Sequence, residues 1–122
     1  MKYRNPAARL YHATRYSLSG LFCAFKQEQA FRYEAIVLVF ILFVLSWLRP
    51  PFSVAVALAG AWLSVMVFEL VNGAVERAFD LIEKEYNAQV KAGKDMLSAS
   101  VFLMISFNVL LWAVFLFADF LF

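Results

Sequence analysis

Three long apolar runs, separated by short polar stretches, constrain this chain more than any other feature of its sequence. Residues 35–48 (AIVLVFILFVLSWL) carry no charge, and extending the run back over Ala30 and Phe31 approaches the roughly 20 residues a helix needs to cross hydrocarbon. Residues 52–68 form a second run and residues 98–122 a third. Lipid offers the backbone no hydrogen-bond partners, so each run must be helical. Composition agrees, since 64% of the 122 residues are hydrophobic, against about 45–50% in soluble domains. A chain this small and this apolar cannot hide its surface from water.

The expected fold is an all-α membrane protein with an N-terminal amphipathic surface helix over residues 1–29 and three transmembrane helices. The spans are placed at 30–49, 52–70 and 97–120, the second extending beyond the membrane to about residue 85, with a turn at 91–94 before the third. In the surface helix, Lys2, Arg4, Arg9, Arg15 and Lys26 alternate with Leu10, Tyr11, Leu18, Leu21, Phe22 and Phe25 at largely helical spacing. Pro50 and Pro51 end the first span beside the interfacial residues Trp47 and Arg49. So short a connection makes the first two spans antiparallel neighbours. Ala55, Ala57, Ala59, Gly60 and Ala61 offer a small-residue surface for close helix packing.

Basic residues set the expected orientation. Lys2, Arg4, Arg9, Arg15, Lys26 and Arg32 precede the first span, Arg77, Lys84, Lys91 and Lys94 lie between the second and third, and only Arg49 lies on the other side. The positive-inside rule then places the N-terminus and residues 69–95 in the cytoplasm and the C-terminus outside. No cleavable signal peptide is expected, because the first 34 residues are polar and basic. The single Cys23 excludes an intramolecular disulfide and reads as an apolar filler, and the single His12 excludes a multi-histidine zinc site. No nucleic-acid partner is expected.

Glu69, Asn72, Glu76, Asp80 and Glu83 recur at intervals of 3, 4, 4 and 3, which puts all five on one helical face. Glu69 directly follows Val65, Met66, Val67 and Phe68, where hydrocarbon gives way to headgroups. An ionisable group there is a functional candidate, suited to act as a general base. Glu76, one turn on, is placed to bind a divalent cation such as Mg²⁺, with Glu28 as the best second ligand. Asp80 and Glu83 read mostly as a solvated face. Lys94 could contact phosphate, and Asp95 could orient it or cap the following helix. With only Gly20, Gly60, Gly73 and Gly93 present, there is no phosphate-binding glycine loop. Any nucleotide must be held by carboxylate-bound magnesium, basic side chains and helix ends.

The run ELVNGAVE at 69–76, followed by Asp80 and by Lys94, Asp95 and Met96, resembles the signature of the small prokaryotic diacylglycerol kinases. The resemblance extends to Glu28, Ala30, Phe31, Arg32 and Glu34 and to the whole three-span layout. It implies an ATP-dependent lipid kinase that converts diacylglycerol to phosphatidic acid in the inner membrane, working as a homotrimer with sites between neighbouring subunits. By resemblance, Glu69 is the general base, Asn72 supports it, and Glu28 and Glu76 hold Mg²⁺ on the ATP phosphates. Arg9, Tyr16, Glu85, Tyr86, Asn87, Lys94 and Asp95 fall where the family contacts nucleotide. Arg9, Ala30, Phe31, Arg32, Tyr33, Glu34, Trp47 and Ser98 fall along the lipid-binding side. Gly73 stands where the family usually has Ser or Thr, and Asn87 where it often has His. Undecaprenol kinase, of the same family, is the nearest alternative. A small multidrug-type transporter subunit or a purely structural membrane subunit would be a different class.

Overall fold

The computed structural model describes residues 5–121, with side chains for residues 5–118, as four helices: α1 (Pro6–Gln27), α2 (Gln29–Leu48), α3 (Phe52–Ile82) and α4 (Ala88–Leu121). Lys2, Arg4 and the side chain of Asp119 lie outside the described residues. Among the described residues there is no strand, and α2, α3 and α4 are each long and apolar enough to cross a membrane. The chain is thus an all-α membrane protein with three spanning helices behind an amphipathic N-terminal helix.

Local chemistry explains each boundary. Asn5 caps α1, its side chain accepting from the Ala7 N–H at 2.9 Å, and Pro6 occupies the first turn, where its missing N–H is no loss. Glu28 breaks the helix with an extended backbone (φ −106°, ψ 108°), separating α1 from α2. Arg32 closes that corner by donating to the otherwise orphaned carbonyls of Phe25 (3.0 Å) and Lys26 (2.7 Å). Arg49 ends α2 in the left-handed conformation (φ 53°, ψ 53°), and Pro50 and Pro51 lead into α3. After α3, Asn87 caps α4 by accepting from the N–H groups of Gln89 (2.8 Å) and Val90 (3.3 Å).

The last boundary corrects an expectation. The turn falls at residues 83–87, not 91–94, and α4 begins at Ala88, ahead of the span expected at 97–120. Gly93 sits inside α4, where a Cβ would come within 2.9 Å of the Phe79 ring on α3. Gly93 therefore marks a close helix approach and not a turn.

Packing is shallow, as lipid requires. Ile41, Leu45 and Leu58 join α2 to α3, with Ala55 and Ala59 packed against them, and Ala24, Phe31 and Met66 form a second cluster nearer the polar end. Gly60, by contrast, faces nothing within 4 Å, so contacts within the chain do not explain it. Two polar ties cross between helices. Trp62 Nε1 donates to the Glu34 carbonyl at 2.8 Å, and Asn108 Nδ2 donates to the Ala61 carbonyl at 3.0 Å. Phe40, Phe43, Phe52 and Phe102 stay exposed, since acyl chains solvate them at no loss.

Candidate active site

The site is built where α3 leaves its apolar stretch. Glu69 is only 9% exposed, and across from it on α2 Glu34 is 8% exposed. Each of these carboxyl groups lies within electrostatic reach of the other, and Asn72, Glu28 and Glu76 lie within reach of the Glu69 charge. The ion pairs among the described residues are Arg77–Glu28, Lys91–Asp95 and Lys94–Asp80. Glu69 joins none of them, and buried Glu34 Oε1 and Asn72 Oδ1 have no hydrogen-bond partner. A buried carboxylate with no cation beside it is chemically equipped to accept a proton.

Glu69 opens on a groove of about 520 Å³ between α1 and α3, lined by Cys23, Glu28, Phe31, Gly73 and Arg77 among others. The α1 wall of this groove is largely apolar, so it can accept an acyl chain alongside a polar group. A second groove, of about 650 Å³, lies at the polar end of the α3–α4 hairpin. It gathers Glu85, Tyr86, Asn87, Lys94 and Asp95 on one surface. Lys94 Nζ donates to Asp80 Oδ1 at 2.7 Å, and Lys91 Nζ donates to Asp95 Oδ2 at 2.7 Å.

These contacts revise two expectations and add a task to Asn87. Asp80, read as a solvated carboxylate, is exposed but is the partner of Lys94. Asp95 neither orients Lys94 nor caps a helix, because α4 starts seven residues earlier and Asp95 pairs with Lys91. Asn87 has the helix-capping task described above, which its amide oxygen performs and which an apolar side chain could not.

The expected lipid-side residues divide. Phe31 and Glu34 are buried against α3, whereas Arg32 is spent on the α1–α2 corner and Tyr33 accepts from Gln29 Nε2 at 2.7 Å on the exposed side. Ala30 and Ser98 are exposed. Trp47, 83% exposed, lies at the far end of α2 from Glu34, about 20 Å away along the helix axis, so the chain does not bring it to Glu69. Arg9 and Tyr16 project from exposed positions on α1, outside the polar groove.

The carboxylates at this end of the site are of the kind a magnesium ion could use. Among the described residues no three His, Cys, Asp or Glu side chains cluster as a ready-made metal cage. Glu28 and Glu76 both lie near Glu69, and Mg²⁺ is commonly held by one or two carboxylates, with substrate phosphates and water completing its shell. Two residues here had no site role in the sequence reading. Arg77 counted only towards orientation, yet it binds Glu28 at 2.9 Å across 49 residues of sequence, a contact that no local spacing signals. Asn108, 2% exposed, was detectable as a lone amide within the third apolar run.

Known kinases are similar to this chain in sequence. The family model of prokaryotic diacylglycerol kinase matches residues 15–116. A diacylglycerol kinase of Helicobacter pylori is 36% identical over 114 residues, covering 93% of this chain and 88% of that protein. One from Escherichia coli K12 is 33% identical over 112 residues, covering 92% of each. One from Haemophilus influenzae is 35% identical over 108 residues, covering 88% of this chain and 92% of that protein. The transporter and purely structural readings fall with these matches. With its three spanning helices and its uncompensated buried Glu69, the chain belongs to the prokaryotic diacylglycerol kinase family and is a membrane phosphotransferase acting on an alcohol group.

Proposed function

We propose that this kinase transfers the γ-phosphoryl group of ATP to the hydroxyl of diacylglycerol, giving phosphatidic acid and ADP, at the cytoplasmic face of the bacterial inner membrane. The observation that carries this reading is Glu69, buried, paired with no cation among the described residues, and opening on an apolar-walled groove where α3 leaves its apolar stretch. A lipid alcohol can reach such a carboxylate without leaving the bilayer, while a nucleotide arrives from the polar end. The names of the related kinases support diacylglycerol as the alcohol.

Phosphoryl transfer asks mainly for positioning and charge stabilisation. The lipid oxygen bonds to the γ-phosphorus as the bond from that phosphorus to the β–γ bridging oxygen breaks. The hydroxyl proton passes to the Glu69 carboxylate, and ADP carries away the displaced electron pair. Asn72, one turn away on the same face, would support the orientation of Glu69. Mg²⁺, when bound, offsets the charge on the ATP phosphates, and Glu28 and Glu76 would hold it. Lys94, released from Asp80, would take a phosphate, with Glu85, Tyr86, Asn87 and Asp95 beside it in the polar groove. Arg9 and Tyr16 on α1, and Trp47 and Ser98, lie apart from these groups within one chain. A homotrimer, with sites shared between neighbours, is the arrangement by which they would meet nucleotide and lipid.

The test is transfer of label from γ-labelled ATP to dioleoylglycerol and to undecaprenol in mixed micelles. Dioleoylglycerol is the expected acceptor, and a strong preference for undecaprenol would sink that assignment. Glu69→Gln is expected to lower kcat by at least about 100-fold with the helical fold intact. Unchanged turnover in the folded variant would remove Glu69 as the base.

A further inference from the structure

Arg77 is the only basic residue of α3, and it stands one turn beyond Gly73, beside the acidic face. Its Nη2 donates to Glu28 Oε1 at 2.9 Å. Glu28 itself belongs to neither helix. Its extended backbone is pinned at the α1–α2 corner, the N–H donating to the Ala24 carbonyl (2.8 Å) and the C=O accepting from the Arg32 N–H (3.2 Å). The oxygen that Arg77 holds also lies 3.2 Å from where a Cβ on Gly73 would stand. The Glu28 carboxylate is therefore fixed from the corner by its backbone, and at its tip by one guanidinium and one missing side chain.

The pair contributes little to stability, because Arg77 is 50% and Glu28 30% exposed and solvent screens such pairs. What it provides is direction. A carboxylate has two oxygens, and a guanidinium bound to one leaves the other free to accept or to coordinate. We infer that Arg77 is a positioning residue, holding Glu28 Oε1 against Gly73 so that the second oxygen of Glu28 is available to the divalent cation that Glu76 shares. The inference rests on the proposed metal role of Glu28 and Glu76. It also accounts for Gly73 in this chain, where a hydroxyl-bearing side chain would occupy the space Glu28 uses.

The test uses the full-length protein in detergent with a non-hydrolysable ATP analogue, and Mn²⁺ in place of Mg²⁺ so that binding is read by paramagnetic resonance. Residues that orient a metal ligand typically change metal affinity by about 10- to 100-fold when removed. Arg77→Gln is expected to weaken Mn²⁺ binding about tenfold, and Arg77→Lys to restore it to within about threefold. The KM for the metal–ATP complex should rise while kcat changes little. In a Glu28→Gln background, Arg77→Gln should have no further effect on Mn²⁺ binding, because both changes act through one carboxylate.

Unchanged Mn²⁺ affinity in folded Arg77→Gln would overturn the inference. So would tighter binding, which would make Arg77 a competitor of the cation. If Arg77→Gln does not fold, Arg77→Met keeps the apolar stem while removing the guanidinium, and unchanged Mn²⁺ affinity there would equally overturn it. A wild-type protein that binds no Mn²⁺ with the nucleotide analogue overturns the metal role of Glu28 and Glu76 together with the positioning role. A wild type that binds, with an indifferent Arg77→Gln, removes only the latter.

Discussion

Gly73 and Gly93 show how differently a missing side chain can be used. The space at Gly73 is filled by the tip of a flexible carboxylate, 3.2 Å from the absent Cβ, so the pressure there falls on function. The space at Gly93 is filled by the Phe79 ring, 2.9 Å away at its nearest atom, so the pressure falls on packing. Gly93→Ala gains about 1 kcal/mol of helix propensity but overpacks the α3–α4 contact by about 1–3 kcal/mol. The expected net result is a loss of about 0–2 kcal/mol, read as a lower Tm in detergent. Combining it with Phe79→Leu should recover most of that loss, and a Gly93→Ala protein that melts higher than wild type would contradict the contact. Glu69 was legible in the sequence because its depth follows from the apolar residues before it and its face from helical spacing. Its neighbour Glu34 was reached only through a family resemblance, since nothing local links residue 34 to residue 69.

At the scale of elements, the corner between α3 and α4 carries the polar groove. Asn87 determines where α4 starts, and α4 then presents Lys91, Lys94 and Asp95 on successive turns. Asn87→Ala should remove about 1 kcal/mol of capping and fray the first turn of α4. Faster amide hydrogen exchange at Gln89 and Val90, together with weaker nucleotide binding, is the expected signature, and Asn87→Asp should retain wild-type protection because it keeps the capping oxygen. Equal exchange in Asn87→Ala and wild type would mean that the cap does not hold this turn. The sequence suggests a turn around Lys91, Ala92, Gly93 and Lys94. The Asn87 cap and the Phe79 ring decide otherwise, and both are contacts that only the folded hairpin makes.

For the whole molecule, the decisive quantity is how basic residues distribute about the spans. They predict that the turn at residues 83–87 faces the cytoplasm and that the α2–α3 connection faces the periplasm. In a Cys23→Ser background, Glu85→Cys should react with a membrane-impermeant maleimide only after the inner membrane is opened, whereas Ser53→Cys should react in intact spheroplasts. The reverse pattern would invert the orientation and place the groove away from cytoplasmic ATP. The two interhelical ties, Trp62 to Glu34 and Asn108 to Ala61, fix α3 between its neighbours at two depths. In a bilayer such hydrogen bonds are individually modest, about 0.6 kcal/mol on average, so they set register more than stability.

The sequence by itself determined the number of spans, the orientation expected of them and the acidic face that starts at Glu69. Each of these follows from short-range pattern: apolar length against bilayer thickness, charge placement, and a repeat of three and four residues. Only the tertiary structure decided which carboxylates have partners. Asp80 takes Lys94 and Glu28 takes Arg77, while Glu69 stands beside Glu34 with no cation. The physical reason is that an ion pair depends on a few ångströms of separation between side chains on different helices. That separation is set by how the α1–α2 corner and the α3–α4 turn fold back on α3, and no spacing along the chain records it.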